Sequence, residues 1–196
     1  MTNRRVDDIA LFDLDGTLAD YDGTLLSALN RIRSSYEPEL NELDRDKEPE
    51  YIMRRRKLIT DSREWWATLP RFQLGWDILD ITRELEYRIT ILTQGPRKVL
   101  GAWAGKKEWI DTNLGGVDVT ITLDKGLVYG KVLVDDFPEY VERWLEHRPR
   151  GLVIMPGHRY NEKYSHTNVV RYDGSNLDEV REALVKAKAR QPREPL

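Results

Sequence analysis

The chain has 196 residues, 31 basic and 34 acidic, with a net charge of −3 and no cysteine. That length supports one domain with a modest insertion, and the slightly acidic balance disfavours a general nucleic-acid binder. Without cysteine, disulfides and thiolate metal sites are excluded and the redox compartment stays open.

The predicted elements begin with an apolar run, Ile9 to Phe12, that ends in Asp13-Leu14-Asp15-Gly16-Thr17. A buried parallel strand reads as a near-continuous apolar run, and ligands of open α/β sheets bind beyond the carboxyl ends of such strands. Asp13 and Asp15, spaced i and i+2, therefore stand where a strand stops and a site begins. Strand alternation puts both on one side, and Gly16 allows the chain to turn away. Two adjacent carboxylates repel unless a cation or a shared proton lies between them. Mg²⁺ is the simplest resolution, a hard ion with oxygen ligands that keeps company with phosphate. The bland alternative is a tight Asp-Gly turn with solvated acids.

A helix is predicted over Thr24–Tyr36, from Leu25, Leu26, Leu29 and Ile32, followed by an acidic loop, Glu37–Pro49. A second helix, Glu50–Ile59, carries the basic run Arg54–Lys57, read either as a solvated face or as a steering surface for a phosphorylated polymer. Ser62 reads as the N-cap of a short helix, Arg63–Leu69, that contains Trp65 and Trp66. Trp76–Glu86 is the next helix and Arg88–Thr93 the next strand, ending in Thr93-Gln94-Gly95-Pro96. A helix from Pro96 is expected, carrying Val99, Leu100, Trp103, Trp109 and Ile110. Val117–Leu123 and Tyr129–Val134 read as strands, the latter running into Asp135-Asp136-Phe137-Pro138. A helix at Tyr140–Leu145, strands at Leu152–Met155 and Asn168–Tyr172, and an amphipathic helix over Asn176–Arg190 complete the pattern. The Arg190–Leu196 tail, with two prolines, is expected to fray.

Strands alternating with helices imply an α/β fold, a doubly wound parallel sheet with helices on both faces. Residues 21–75 break the alternation and read as a small helical cap inserted after the first strand, closing over the acids. The core is then 1–20 and 76–196. The apolar run near the amino end is too short for a signal peptide or a membrane span, so a soluble, cytoplasmic protein without membrane partners is expected.

Three further features suit a phosphate site. The Thr93 hydroxyl and the following backbone N–H groups, Gln94 among them, can hold phosphate oxygens near a helix start. Lys125 can neutralise a phosphate and the first acid, although a solvated loop lysine is the commoner case. Asp135-Asp136, at another strand end, offers Mg²⁺ a further carboxylate. D-x-D-G-T, strand-Thr, Lys and strand-Asp-Asp in this order are more specific than any one piece.

The order resembles the motifs of the haloacid dehalogenase (HAD) phosphatase superfamily, over residues 9–138. The resemblance implies a HAD-like, Rossmannoid core, with Asp13 as nucleophile, Asp15 as general acid/base and Thr17 supporting the loop. It also implies Mg²⁺ held by Asp136, the Asp13 carboxylate and the Asp15 carbonyl, with Asp135 orienting the loop and pairing with Lys125. Asp20-Tyr21-Asp22-Gly23, Leu123-Asp124-Lys125, Val134 to Pro138, and Gly157-His158 followed by Asn161 resemble the 5′(3′)-deoxyribonucleotidases. That likeness implies a base pocket drawn from Tyr21, Trp65 and Trp66, of which at most one tryptophan faces the cleft. Two departures stand out: Thr17 replaces that family's usual Val, and Thr93-Gln94-Gly95-Pro96 replaces Thr-Ser-Pro.

The leading expectation is a Mg²⁺-dependent phosphomonoesterase acting on (deoxy)nucleoside monophosphates. A polynucleotide 3′-phosphatase, the one reading with a nucleic-acid partner, is the enzymatic alternative. A phospho-accepting switch or binding module is the alternative of another class. A homodimer stays open.

Overall fold

The structure, a computed structural model, describes residues 8–43, 47–96 and 98–190. The fraying expected for Arg190–Leu196 falls, beyond Arg190, outside the described residues. Six strands form a single sheet, β1 (Ile9–Phe12), β2 (Arg88–Gln94), β3 (Asp118–Thr122), β4 (Val132–Val134), β5 (Leu152–Pro156) and β6 (Val169–Tyr172). Their order is β3-β2-β1-β4-β5-β6 and every pairing is parallel. This is the α/β architecture expected from the alternation of elements.

Register explains why the strands read as continuous apolar runs. Leu11 pairs with Leu133 across β1 and β4, and Leu133 with Val153 across β4 and β5. These residues, with Leu92 and Met155, pack against Val141, Trp144 and Leu145 of α6 (Pro138–His147). The intervening residues Ala10, Phe12, Ile91, Val132, Val134 and Ile154 point the other way and are also fully buried. Helices α4 (Gln73–Glu84) and α7 (Leu177–Ala189) contact β2 and β5 respectively, and each other. A sheet buried on both faces needs apolar side chains at both parities.

The chain divides into two compact units, one of residues 1–18, 72–94 and 117–196, the other of 19–71 and 95–116. The second unit holds α1 (Tyr21–Arg31), α2 (Glu50–Thr60), α3 (Arg63–Ala67) and α5 (Leu100–Leu114). Residues 95–116, which the sequence pattern assigns to the core, thus fold with the helices of 19–71. The reason is close approach of helices. A Cβ on Gly101 would lie 2.7 Å from the Asp61 carbonyl oxygen, and one on Gly105 2.3 Å from that of Arg63. Trp109 Nε1 also donates to the Leu69 carbonyl at 2.6 Å.

Several helix starts differ from expectation: α4 begins at Gln73, not Trp76, and α6 at Pro138, not Tyr140. α1 begins at Tyr21, not Thr24, because the Asp20 side chain caps it by accepting from Gly23 N at 3.0 Å. α5 begins at Leu100, not Pro96. Gly95 lies under the Trp103 indole, where a Cβ would be 2.3 Å away, and Trp103 Nε1 donates to the Pro96 carbonyl at 2.9 Å. Val99 N donates to the Pro96 carbonyl at 3.4 Å, and Pro96 is not the first residue of a helix. Ser62 does cap α3, accepting from Trp65 N.

Candidate active site

The site is built where β1 and β4 end side by side. Asp13 follows β1, and its N–H donates to the Val134 carbonyl at 2.9 Å, so the first acid is tied to the strand that precedes Asp135 and Asp136. Asp13, Asp135 and Asp136 are all buried, and one oxygen from each lies within 4.8 Å of the others. Lys125 stands on the short 3-10 turn Lys125–Leu127. Its Nζ reaches Asp13 Oδ1 at 2.8 Å and Asp135 Oδ2 at 2.7 Å, with the side chain 2% exposed. The Lys125–Asp135 pairing expected for this pattern is present, and Asp13 shares the same ammonium.

The surrounding contacts hold each carboxylate in one orientation. Asp135 Oδ1 accepts the Phe137 N–H at 3.0 Å, and Thr17 Oγ1 donates to Asp136 Oδ1 at 2.8 Å. Gly16 has φ +75°, a left-handed turn in which a Cβ would sit 2.7 Å from Asp136 Oδ2. Asp15, on the same turn, is half-buried. The turn is braced from α4. Phe72 N and Trp76 Nε1 donate to the Leu18 carbonyl at 2.9 and 3.0 Å, and a Cβ on Gly75 would lie 1.7 Å from the Thr17 carbonyl oxygen.

Three buried carboxylates face one ammonium, and their proton affinities show the imbalance. Burial, only partly opposed by Lys125 and reinforced by Asp13, pushes Asp135 up to about 8. Burial and the Asp13 charge push Asp136 up to about 7, against hydrogen bonds from Tyr160 and Thr17. Burial alone would lower Lys125, but Asp13 and Asp135 outweigh it and hold its ammonium firmly charged. The donor set is all oxygen, anionic and short of positive charge, which fits a hard divalent cation such as Mg²⁺. Asp13 and Asp136 are the carboxylates that would hold it, Asp135 being bound to Lys125 and the Phe137 N–H.

Thr93 is fully buried next to the end of β2, and the Tyr140 hydroxyl donates to Gln94 Oε1. The Tyr140 ring also lies 4.5 Å from Lys125 Nζ, so Gln94 is linked to the lysine through one aromatic side chain. Tyr140 escaped sequence reading because it falls inside an amphipathic helix, where an aromatic reads as core. Tyr160 escaped it for lack of any periodic pattern. Its hydroxyl meets Asp136 Oδ2, and His158 Nε2 meets the Gly16 carbonyl at 2.6 Å.

In the second unit, Tyr21, Trp65 and Trp66 form one aromatic cluster. Tyr21 stacks on Trp66 with centroids 5.4 Å apart at 29°, and Trp65 meets both edge-on. Trp66 is 5% exposed and donates to the Thr60 carbonyl at 2.7 Å, while Lys106 Nζ lies 4.8 Å over its ring. Trp66 is thus a core anchor of its unit, while Trp65 and Tyr21 are half-buried. The basic run on α2 is largely paired: Arg54 with Glu50 and Arg55 with Glu37, each at 2.6 Å, and Arg56 with Glu48. A face so neutralised gives little steering of a polyanion.

Known structures share the sheet. A haloacid dehalogenase-like hydrolase from Burkholderia xenovorans LB400 superposes with TM-score 0.55 at 15% identity, covering 94% of this chain and 99% of that one. A HAD family hydrolase from Deinococcus radiodurans R1, solved with bound phosphate and sodium, gives 0.56 at 13% identity, covering 95% and 99%. The fold is therefore that of the HAD-like hydrolases. Residues 7–190 match the model of the family described as 5′ nucleotidase, deoxy (pyrimidine), cytosolic type C protein (NT5C), and the chain belongs to that family. Membership of that family makes it a phosphoric monoester hydrolase. No curated protein sequence matches the chain. Among the described residues, no helix is long and apolar enough to cross a membrane.

Proposed function

We propose that this chain is a Mg²⁺-dependent phosphomonoesterase that hydrolyses deoxynucleoside monophosphates through an aspartyl-phosphate. The observation that carries this reading is the buried cluster of Asp13, Asp135 and Asp136 around Lys125. Asp13 supplies the carboxylate oxygen that forms the new bond to phosphorus as the ester P–O bond breaks. Asp15 gives a proton to the departing alkoxide and then takes one from the water that cleaves the aspartyl-phosphate. Lys125 faces the same acid and neutralises charge that collects on the phosphoryl oxygens, with Thr93 and the Gln94 loop as further phosphate donors. Bound Mg²⁺ would add a Lewis acid for those oxygens. Asp136, the Asp13 carboxylate and the Asp15 carbonyl would hold it.

The aromatics that the deoxyribonucleotidase likeness assigns to base binding all lie in the second unit. Tyr21 and Trp65 are the aromatics open enough to meet a base, with Trp66 as their anchor. Trp65 Nε1 is buried and, among the described residues, without a hydrogen-bond partner. The family's description names deoxy and pyrimidine nucleotides and cytosolic proteins, which supports a pyrimidine deoxynucleotide substrate and a cytoplasmic location. The paired charges of α2 weigh against the polynucleotide alternative.

The test is a phosphate-release screen over ribo- and deoxynucleoside monophosphates, 3′-phosphorylated oligonucleotides and sugar phosphates, with Mg²⁺ or with excess chelator. Deoxynucleoside monophosphates lead and chelator abolishes release if the reading is right; preference for oligonucleotide ends, or full activity in chelator, overturns it. Trp65→Ala should raise KM for nucleotides by about 5- to 150-fold, the value of roughly 1–3 kcal/mol of stacking. Hydrolysis of a small aryl phosphate should survive.

A further inference from the structure

Beside the acidic cluster, the first unit carries an aromatic stack to which the phosphatase reading gives no task. Phe72 and His158 lie 4.6 Å apart at 15° between ring planes, and His158 and Tyr160 4.9 Å apart at 12°. Both polar members of the stack end on the site. His158 Nε2 donates to the Gly16 carbonyl at 2.6 Å; a carbonyl only accepts, so this nitrogen carries the proton. The Asn161 N–H donates to the His158 backbone carbonyl at 3.3 Å, closing the turn behind the ring. The Tyr160 hydroxyl donates to Asp136 Oδ2, while Thr17 Oγ1 donates to Oδ1 of the same carboxylate.

The turn that carries these residues is itself held. Asn161 Nδ2 donates to the Asp136 and Pro156 carbonyls at 2.9 Å each, and Asn161 Oδ1 accepts from His158 N at 2.9 Å and from Arg171 Nε at 3.2 Å. Asp136 is thus bound at its backbone and at both side-chain oxygens by uncharged donors, which leave its negative charge for a cation. A carboxylate with both oxygens engaged cannot rotate freely about its Cβ–Cγ bond. The Gly16 carbonyl, bonded to His158, lies between Asp15 and Thr17 in the chain.

We propose that Tyr160 and His158 are positioning residues for metal binding: Tyr160 sets the plane of the Asp136 carboxylate, and His158 sets the Gly16 turn against it. This inference rests on the reading of Asp136 as a metal ligand. Outer partners of metal ligands commonly carry about 10- to 100-fold in metal affinity or activity. Tyr160 is 43% exposed, so loss of its hydroxyl removes little from the core.

The test is Tyr160→Phe, which keeps the stacked ring and removes one hydroxyl. Mg²⁺ is titrated into the folded protein by calorimetry and Mn²⁺ binding is read by electron paramagnetic resonance, with thermal unfolding of the metal-free protein in parallel. The expected result is a Kd for Mg²⁺ raised by about 10- to 100-fold. The Mg²⁺ needed for half-maximal activity should rise in step, and KM at saturating Mg²⁺ should hold. His158→Gln should weaken Mg²⁺ in the same direction and serves alone if Tyr160→Phe does not fold. A lowered melting temperature with unchanged metal affinity would make the stack merely structural and overturn the proposal. Wild-type protein that binds neither ion overturns the ligand assignment and this inference with it. Wild-type binding with unaltered variants overturns this inference alone.

Discussion

Lys125→Met removes the ammonium paired with Asp13 and Asp135 and keeps a side chain of similar length. Nζ lies 2.8 Å from Asp13 Oδ1 and 2.7 Å from Asp135 Oδ2, with all three side chains buried. At an effective dielectric of about 20, each contact amounts to roughly 6 kcal/mol of attraction. Desolvation of the buried ions offsets much of that, and loss of one partner of a buried pair costs about 3–5 kcal/mol. For a chain of this size the melting temperature should fall by about 6–20 °C, at roughly 2–4 °C per kcal/mol.

The loss should depend on pH. Asp135 and Asp136 titrate near about 8 and about 7 in the folded protein, above the ordinary carboxylate value. A raised carboxylate means that the folded state binds protons the unfolded state has released. The metal-free wild type therefore loses stability as pH rises from the ordinary carboxylate range through about 8. The stabilisation from Lys125 is fully present below the ordinary lysine range and disappears only at higher pH. With the ammonium gone, protonation of the acids is the remaining relief, so the variant suffers most above that window and least below it. Urea unfolding of metal-free protein at pH values on either side measures both effects. A loss below about 1 kcal/mol, typical of exposed pairs, and equal on both sides would refute the reasoning.

Asp13→Asn should abolish turnover, since an amide cannot attack phosphorus; a purified variant with appreciable steady-state activity would remove the covalent step. Asp15→Asn should still form phospho-enzyme from a substrate with a good leaving group but stall in its hydrolysis, which acid-quench trapping of labelled phosphate detects. Gly75→Ala should destabilise by about 1–3 kcal/mol or more, because its Cβ would meet the Thr17 carbonyl at 1.7 Å. Denaturant midpoints decide this, and a neutral result would mean that α4 shifts freely from the turn it braces.

The local part of this molecule is legible in the chain itself. Apolar runs ending in Asp13, Thr93 and Asp136 announce buried parallel strands and the edge where ligands bind, because strand burial imprints itself on neighbouring residues. Ser62 announces a helix start for the same reason: the capping bond spans only a few residues. What joins distant segments is not written that way. Sequence order places Lys125 near Asp135, but only the folded chain shows the same ammonium against Asp13. Tyr160 meets Asp136, and His158 meets the carbonyl of Gly16, 142 positions away. Trp66 becomes a buried anchor, and residues 95–116 join the helices of 19–71, because Gly101 and Gly105 allow α5 to approach the chain near α3. Such contacts are chosen by shape and hydrogen-bond geometry after the elements assemble, and neither leaves a period in the sequence.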